Sequence, residues 1–288
     1  MSKTPVLAII GGSGLDGMKN LKVLETVTPQ TPYGAPSSPI VLGELGGRTV
    51  AFLARHGIGH FISPTEVNYQ ANICALKMLG VKKIVSISAC GSLREDFAPG
   101  EIVIPDNLVD FTKDRKRTFF DEGIVAHIGS AEPYCANLSD WTAKAVLNAG
   151  GTLHKGGSLI TIEGPRFSTR GESNLFRQWG MSIIGMTACP EAFLAREAEM
   201  CYITMAHVTD YDVWHVTEEP VNVEMVIRTL NHNTDLAQQA VFNLAQNPNL
   251  DDDCECQHSL EGTILTDPAI IPEKTKQKLN WLVTKYLH

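Results

Sequence analysis

Two closely spaced aspartates follow a short apolar segment late in the chain. The segment CYITMA (201–206) is rich in apolar and β-branched residues, which predicts a buried strand. Asp210 and Asp212 come just after it, in HVTDYDVW (207–214). Because a strand projects alternate residues to the same face, both carboxylates are expected to point one way. Burial beside a like charge raises the pKa of a carboxyl, which predicts an acid able to donate a proton.

Hydroxyl and cationic side chains stand at the ends of three further predicted strands, TVAFLA (49–54), KIVSISA (83–89) and SIIGM (182–186). The carboxyl ends of the strands in an α/β sheet form an edge where ligands bind. Arginine is well shaped to bind a tetrahedral oxyanion, and hydroxyls can donate to the same group. We therefore predict a shared anion site at this edge, formed by Arg55, His56, Ser88, Ala89 and Thr187.

A glycine-rich turn, IIGGSGLDG (9–17), follows the first predicted strand. Its Gly12, Gly14 and Gly17 have the G-x-G-x-x-G spacing of dinucleotide-binding proteins, which indicates an NAD-binding oxidoreductase as one alternative. That fold also needs an acid at the end of a second strand, about 20 residues later. Prolines occupy this window instead. We therefore favour a simpler role, in which backbone N–H groups and the Ser13 hydroxyl hold an anion.

Strand-like and helix-like segments alternate along the 288 residues, which predicts an α/β fold with a largely parallel or mixed sheet. Two long helix-like segments cover 222–247 and 272–287. Between them, residues 247–257 form a polar, acidic stretch. We therefore predict a main domain at 1–246, with an acidic loop and a C-terminal helical segment of the same domain at 247–288.

Composition and charge exclude several classes of partner. The net charge is −8 and only 19% of the residues are charged, so nucleic acid is not an expected partner. The apolar runs are shorter than the roughly 18 residues of a membrane helix, and the N-terminal run is too short for a signal peptide. We expect a cytoplasmic protein without a membrane partner. The odd number of cysteines, 7, also argues against a secreted disulfide scaffold.

The segment CECQH (254–258) has the residue types of a metal site. It offers two cysteines and one histidine, at most three ligands, and no second such cluster occurs in the sequence. We therefore expect no metal ion. The sequence leaves open whether Cys254 and Cys256 form a disulfide, which in a C-x-C ring would be labile to reduction.

A series of motifs runs in order along residues 6–230: IIGGSGL, TPYGAPS, ARHG, NYQANICALK, ACGSLRE, PGEIVIPD, IEGPRFSTR, MTACPE and VTDYDVW. They resemble the trimeric purine nucleoside phosphorylases, and among these the 5′-methylthioadenosine phosphorylase branch. The resemblance implies a single-domain fold with a mixed, twisted central sheet flanked by helices, assembled as a homotrimer. It also implies phosphorolysis of an N-glycosidic bond, with inorganic phosphate as co-substrate and no metal or organic cofactor.

The resemblance also implies roles for individual residues. Phosphate would be bound by Ser13, Arg55, His56, Ser88, Ala89 and Thr187. The two serines replace a threonine that is frequent in the family and keep its hydroxyl group. Phe167 and Ser168 would line the purine pocket, and Met186 would lie under the ribose. His127 would reach into the active site of the neighbouring subunit.

Two further features of the resemblance concern substrate choice. Asp210 would donate a proton to purine N7 and Asp212 would accept a hydrogen bond from a 6-amino group, whereas the 6-oxopurine branch uses asparagine and glutamate in this pocket. Val223, Val226 and Ile227 share one helical face, and relatives that bind a 5′-hydroxyl have a histidine where this chain has Val223. This apolar wall implies a 5′-methylthio group.

The resemblance therefore implies phosphate-dependent cleavage of 5′-methylthioadenosine to adenine and 5-methylthioribose 1-phosphate. The nearest alternatives are a general purine nucleoside phosphorylase and a 5′-methylthioinosine phosphorylase. A non-catalytic purine-binding protein would be expected to lack Arg55, Asp210 or the strand-end hydroxyls, all of which are present. A purely structural alternative is that the two aspartates are turn acids ahead of the next helix.

Overall fold

The computed structural model describes residues 4–11, 18, 20–216 and 221–287, with only the backbone at Asn231 and His232. These ranges form one eleven-stranded mixed sheet flanked by helices, which confirms the expected single-domain α/β fold. The strands are β1 (Leu7–Gly11), β2 (Lys22–Val27), β3 (Ile40–Leu45), β4 (Arg48–Ala54), β5 (Lys83–Ser92), β6 (Ile102–Ile104), β7 (Asn107–Phe111), β8 (Leu153–Lys155), β9 (Ser158–Ile162), β10 (Ile183–Gly185) and β11 (Cys201–Asp210). The helices are α1 (Tyr69–Met78), α2 (Ala136–Asn148), α3 (Arg170–Gln178), α4 (Ala188–Glu197), α5 (Val223–His232), α6 (Thr234–Ala245), α7 (Glu273–Lys278) and α8 (Asn280–Val283). None of these helices has both the length and the apolar composition that a membrane crossing requires.

Strand β5 is the centre of the sheet. The strand order is β2-β3-β4-β1-β5-β10-β9-β7, and β11, β6 and β8 form a second branch that begins at β5. Strands β4, β1, β5 and β11 are parallel, so their carboxyl ends come to one edge of the sheet. Strand β11 is buried at every position, as expected for a strand covered on both faces. This arrangement places Arg55, Ser88 and Asp210 at or near the carboxyl ends of neighbouring parallel strands.

Both long helix predictions are wrong in one respect, because each segment is broken in the structure. The segment 222–247 forms α5 and α6, which meet at Asn233. The backbone there has φ −90° and ψ 0°, and the side-chain amide donates to Gly100 O at 3.1 Å. The segment 272–287 forms α7, α8 and a short 3₁₀ turn, with the first break at the buried Leu279. A long-range hydrogen bond holds the first break point, and the second lies at a residue buried in the core. Helical periodicity reports neither.

Residues 247–287 pack against the rest of the chain. Four leucines of this segment are buried in the main hydrophobic core: Leu250, Leu260, Leu279 and Leu282. Lys83, the first residue of β5, also donates to Asp252 O at 2.7 Å. The C-terminal segment therefore shares the core of the sheet, and the division of the chain at residue 246 stays a prediction.

Candidate active site

Asp210 and Asp212 lie together at the carboxyl end of β11. Asp210 is 4% exposed and Asp212 is 5% exposed. Asp210 Oδ1 accepts a hydrogen bond from the backbone N–H of Asp212 at 2.7 Å, and Oδ2 accepts one from the Thr209 hydroxyl at 2.6 Å. β11 ends at Asp210, and Asp212 lies in the following turn with a φ of 52°. This turn, rather than the strand alternation expected from the sequence, brings the two residues together.

Gly91 of β5 makes room for the acid pair. It is the cross-strand partner of Asp210. A Cβ atom at this position would lie 2.9 Å from Asp210 Oδ1, 3.1 Å from Ile184 Cγ2 and 3.2 Å from Asp212 Cβ. Because all three distances are shorter than ordinary van der Waals contacts, a side chain here would displace the acids or strand β10.

Burial controls the ionisation of both acids. Desolvation, with a contribution from the Asp212 charge, raises the pKa of Asp210 to about 6, although the hydrogen bonds to its carboxyl oppose this rise. Burial also raises the pKa of Asp212, and the nearby hydroxyls of Ser168 and Ser173 offset part of that effect. Asp210 is therefore a carboxyl suited to proton transfer near neutral pH.

Three buried polar atoms beside the acids have no hydrogen-bond partner within the described residues. They are Asp212 Oδ2, Ser168 Oγ and Ser173 Oγ. The two hydroxyls lie beside the Asp212 carboxyl and lower its pKa, but their contacts with it are weaker than well-formed hydrogen bonds. Since buried polar atoms of folded proteins are nearly always paired, these atoms indicate a binding place for a ligand with a polar edge.

Arg55 forms a buried ion pair with Glu191 of α4. Its Nε and Nη2 atoms donate to the two carboxylate oxygens at 2.7 and 2.9 Å. Nη2 also donates to the Ser86 hydroxyl at 2.6 Å, and Tyr202 OH donates to Glu191 at 2.9 Å. Nη1 makes a longer bond of 3.4 Å to Ile87 O, so it is the guanidinium nitrogen most available to a ligand. Glu191, which the sequence analysis missed as a site residue, therefore positions Arg55.

His56 is neutral at physiological pH. Burial and the adjacent Arg55 charge lower its pKa to about 4. Its Nδ1 atom lies 2.9 Å from Ile62 O. A carbonyl oxygen can only accept, so Nδ1 carries the proton and Nε2 is left as an acceptor. His56 can therefore receive a hydrogen bond from a hydroxyl group or a protonated oxyanion.

The remaining predicted anion ligands lie on neighbouring strand ends. Ser88 and Ala89 are half-buried in the carboxyl half of β5. Strand β10 runs antiparallel to β5, and a Cβ atom at Gly185 would lie 3.8 Å from Ala89 O. Thr187 follows and is buried at the start of α4, where its hydroxyl makes no capping bond. The structure thus places Ser88 and Ala89 on β5 and Thr187 just after β10, the strand that pairs with β5, whereas Ser13 lies outside the described residues.

The loop between β9 and α3 carries the residues predicted to bind the purine. Phe167 is half-buried and Ser168 is buried. The loop ends at a capping box in which Thr169 and Glu172 bond to each other's backbone N–H groups. Glu172 also pairs with Arg166 at 2.7 Å. These bonds fix the loop where Ser168 lies near the acid pair.

Arg115 is a buried cation that the sequence analysis missed. Its Nη1 atom donates to Met186 O at 2.6 Å and to Cys189 O at 2.7 Å. Nη2 donates to Glu163 O at 2.6 Å, and Nε pairs with the Glu163 carboxylate at 3.0 Å. Arg115 therefore holds Met186, which is predicted to lie under the ribose, against the beginning of the β9–α3 loop.

Most of the chain matches one family model, since residues 6–246 match the model of the phosphorylase superfamily. The chain belongs to this superfamily. The S-methyl-5′-thioadenosine phosphorylase of Geobacter sulfurreducens is 47% identical over 283 residues, which cover 98% of this chain and 99% of the relative. A solved methylthioadenosine phosphorylase from an Antarctic soil metagenomic library has a TM-score of 0.92 at 45% identity and covers 97% of this chain and 99% of its own. A variant of the adenosine/methylthioadenosine phosphorylase of Schistosoma mansoni has been solved with methylthioadenosine. It has a TM-score of 0.83 at 34% identity, and the match covers 89% of this chain and 96% of the Schistosoma chain.

Helix α5 of this phosphorylase follows the acid pair. The backbone N–H of Val221, just before the helix, donates to Asp212 O at 3.2 Å. Val226 is half-buried, whereas Val223 is 62% exposed and Ile227 is 52% exposed. The expected apolar face is therefore present beside the site, but it is open to solvent, and its contact with a 5′ substituent stays a prediction.

His127 of the phosphorylase is exposed in the segment between β7 and α2. Its backbone N–H donates to Thr263 O at 3.0 Å, in the C-terminal segment. The structure therefore places His127 on the surface, and its role in the active site of a neighbouring subunit stays a prediction.

Proposed function

We propose that this chain cleaves 5′-methylthioadenosine with inorganic phosphate, giving adenine and 5-methylthioribose 1-phosphate. The observation that carries the proposal is the buried pair Asp210–Asp212, whose Asp212 Oδ2 atom has no hydrogen-bond partner within the described residues. The similar proteins support the substrate, because relatives and solved structures alike are methylthioadenosine phosphorylases. Phosphate is the nucleophile, so the proposed reaction uses no organic cofactor or metal ion.

The bond changes balance without a further reagent. A phosphate oxygen bonds to C1′ as the bond from C1′ to purine N9 breaks, and the electron pair of that bond moves to the purine. Protonated Asp210 donates its proton to N7, which neutralises the leaving base. Adenine departs, and the Asp210 carboxylate regains a proton from solvent. The raised pKa of Asp210 keeps some of the acid form available near neutral pH.

Phosphate is proposed to lie against the ends of β4, β5 and β10. Arg55 Nη1 and the hydroxyls of Ser88 and Thr187 would donate to its oxygens. Neutral His56 would accept a hydrogen bond from a phosphate hydroxyl through Nε2. Ser13 is proposed as a further hydroxyl donor, and Ala89 as a small residue that lets phosphate approach the backbone.

The adenine base is proposed to lie against Asp212 and the β9–α3 loop. Asp212 Oδ2 would accept from the exocyclic 6-amino group, whereas a 6-oxopurine would present an oxygen that an ionised carboxylate repels. The Phe167 ring would contact the base, with the Ser168 hydroxyl beside it, and Met186 would lie under the ribose. These contacts select a 6-aminopurine.

Phosphate-dependent release of adenine tests this function. Purified protein is incubated with 5′-methylthioadenosine, adenosine, inosine or 5′-methylthioinosine, with and without phosphate, and the free bases are separated by chromatography. We expect adenine from 5′-methylthioadenosine only when phosphate is present. Faster release of hypoxanthine would support a purine nucleoside or 5′-methylthioinosine phosphorylase instead, and release without phosphate would reject phosphorolysis.

The apolar face of α5 predicts the preference at the 5′ position. A 5′-hydroxyl against Val223, Val226 and Ile227 would lose water contacts without replacement, at a cost of about 1–3 kcal/mol. We therefore expect kcat/KM for 5′-methylthioadenosine to exceed that for adenosine by about fivefold to over a hundredfold. Adenosine should remain a poor substrate, because apolar pockets reject an added hydroxyl only moderately.

Val223→His is the informative variant for this preference, because it supplies a polar partner for the 5′-hydroxyl and should narrow the ratio. Val23→His is a matched control, since Val23 is a similarly exposed valine on β2. The ratio of the two kcat/KM values is measured in all three proteins. A wild-type ratio at or below one would show that α5 does not select the methylthio group.

Gly91→Ala tests whether the acids need the space above Gly91. The added Cβ would lie 2.9 Å from Asp210 Oδ1, and a misplaced acid is expected to lower kcat/KM by about 10- to 100-fold. Gly129→Ala is the control, because a Cβ at Gly129 has no neighbour within 4 Å. Activity of Gly91→Ala within a factor of about two of wild type would mean that catalysis tolerates the shift.

A homotrimer with shared active sites is also proposed, on the position of His127, which is exposed and distant in sequence from the other site residues. Light scattering is expected to give the mass of three chains, and His127→Ala should raise the KM for nucleoside without changing that mass. A stable, fully active monomer would contradict this arrangement. A cytoplasmic location stays a prediction.

A further inference from the structure

Four cysteines from three separate parts of the chain meet in one cluster: Cys135, Cys201, Cys254 and Cys256. Their Sγ atoms all lie within 4.8 Å of one another. One pair, Cys135 and Cys254, has its Sγ atoms 3.7 Å apart although the residues are 119 positions apart in sequence. Three of the four side chains are buried, and Cys254 is half-buried.

The spacing of these sulfur atoms suits a tetrahedral metal ion. Zinc–thiolate bonds of about 2.3 Å place the four sulfurs of a tetrahedron about 3.8 Å apart. A disulfide needs a much shorter separation of about 2.05 Å, and all seven cysteines are free thiols in the structure. Four sulfur ligands in tetrahedral array are typical of zinc. We propose that Cys135, Cys201, Cys254 and Cys256 bind a zinc ion.

Groups around the cluster fit its charge. Four thiolates and one zinc ion carry two net negative charges. Arg196 Nη1 donates to Cys256 Sγ at 3.6 Å, and the backbone N–H of Leu138 donates to Cys135 Sγ at 3.5 Å. Lys83 is buried on β5 as the cross-strand partner of Cys201.

Arg196 is the cation that contacts the cluster. Within the described residues it forms no ion pair, and its Nε atom is buried without a partner. The Arg196 guanidinium therefore offsets part of the negative charge of the proposed zinc complex, and the two N–H···S bonds orient its ligands as outer partners of metal sites commonly do.

The position of the cluster indicates a structural zinc ion. Cys201 and Asp210 are the first and last of the ten residues of β11, so at about 3.3 Å per residue they lie roughly 30 Å apart. The cluster joins the C-terminal segment, through Cys254 and Cys256, to β11 and to the residue that caps α2, Cys135. Zinc would therefore fasten the C-terminal segment to the sheet and take no part in the reaction.

The sequence expectation of no metal considered only the ligands within CECQH. His258 of that segment is not a ligand in the structure, because it is exposed and its Nε2 lies 3.1 Å from Asp253 Oδ2. The third and fourth ligands, Cys135 and Cys201, come from regions distant in sequence. Only folding brings these two thiols to the C-x-C pair, and the proposal does not depend on the reaction proposed above.

Metal content of the full-length protein tests the zinc site. The protein is purified with reductant and without chelator, and zinc per chain is measured by inductively coupled plasma mass spectrometry. We expect about one zinc ion per chain in the wild type and a loss of most of it in Cys201→Ser and Cys254→Ser. Cys74→Ser, a buried thiol of α1 outside the cluster, is the matched control and should keep its zinc.

A second readout keeps the test valid where Cys201→Ser fails to fold. Cys254 is half-buried, so Cys254→Ser is the milder variant. A strong chelator should lower the Tm of wild type and of Cys74→Ser but leave that of Cys254→Ser unchanged. Protein that contains no zinc and binds none when zinc is added would overturn the proposal. This holds whether mass spectrometry then finds four free thiols in the cluster or disulfides among them.

Discussion

Replacing Asp210 by alanine is expected to lower kcat/KM for 5′-methylthioadenosine by about 10²- to 10⁴-fold, the range of general acid catalysis. The variant would lose the proposed proton donor for purine N7. The Asp210 side chain is 4% exposed and accepts hydrogen bonds from Thr209 and from the Asp212 backbone. Steady-state kinetics at saturating phosphate give the ratio of kcat/KM between the wild type and Asp210→Ala. Asp235→Ala, an exposed acid in the first turn of α6, should leave kcat/KM unchanged. A loss under tenfold with the fold intact would exclude Asp210 as the acid.

Asp210→Asn separates proton donation from hydrogen bonding. An amide can donate to N7 but cannot transfer a proton, so activity should lie between that of the wild type and that of Asp210→Ala. The pKa of Asp210 is about 6 in the free protein. Wild-type kcat/KM should therefore fall as pH rises above about 6, and this fall should be absent in the variant. Ionisation of phosphate affects both proteins equally, so the difference between their pH profiles is diagnostic.

The raised pKa of Asp210 also predicts that the stability of the wild type depends on pH, with Asp210→Asn as the comparison. Burial raises the Asp210 pKa from 3.8 to about 6 in the folded protein. The folded state therefore holds this proton more tightly, and its contribution to stability is present below pH 3.8 and lost as pH rises through about 6. That loss is about 3 kcal/mol at most. Urea unfolding should show Asp210→Asn gaining stability relative to the wild type over this window, and parallel curves would contradict the raised pKa.

Strands with long apolar runs were predictable from the sequence. Strands whose residues are mostly exposed were missed. Strand β11 follows from the run at 201–206, although the strand continues to Asp210. Strand β2 (Lys22–Val27) was not predicted, because its residues are almost all exposed and show no buried face. The break between α5 and α6 was also missed, because Asn233 bonds to Gly100, which is remote in sequence. Such contacts leave no periodic signal.

The candidate site was predictable where a polar residue stands at the end of an apolar strand or directly after it. Asp210 and Arg55 both have this position. Glu191 and Arg115 were missed because each acts through other residues. Glu191 pairs with Arg55 across 136 positions, and Arg115 bonds to carbonyl groups of the β9–α3 loop and of the start of α4. Local sequence patterns therefore indicate the side chains that bind a ligand. They do not indicate the buried groups that position those side chains. MTACPE, a motif of the family resemblance, was the one available signal for Glu191.

Arg55→Ala and Glu191→Ala are both expected to destabilise the protein by about 3–5 kcal/mol, because each leaves a buried charge without its partner. Arg55 is 2% exposed and Glu191 is fully buried, and their two hydrogen bonds are 2.7 and 2.9 Å long. Urea unfolding measures both losses. Arg94→Ala is the matched control, since Arg94 makes a similar two-bond pair with Asp96 at the surface and should lose at most about 1 kcal/mol.

Kinetics then separate a structural Arg55 from one that binds phosphate. If Nη1 contacts phosphate, Arg55→Ala should raise the KM for phosphate by about tenfold or more while changing the KM for 5′-methylthioadenosine much less. Glu191→Gln keeps the shape of the side chain but removes the ionic partner of the Arg55 guanidinium. This variant should therefore raise the KM for phosphate by a smaller factor than Arg55→Ala does. The double variant should lose less stability than the sum of the two alanine variants, because neither charge is then left alone. Equal increases in both KM values for Arg55→Ala would show that the pair supports the fold and that phosphate is held by the strand-end hydroxyls.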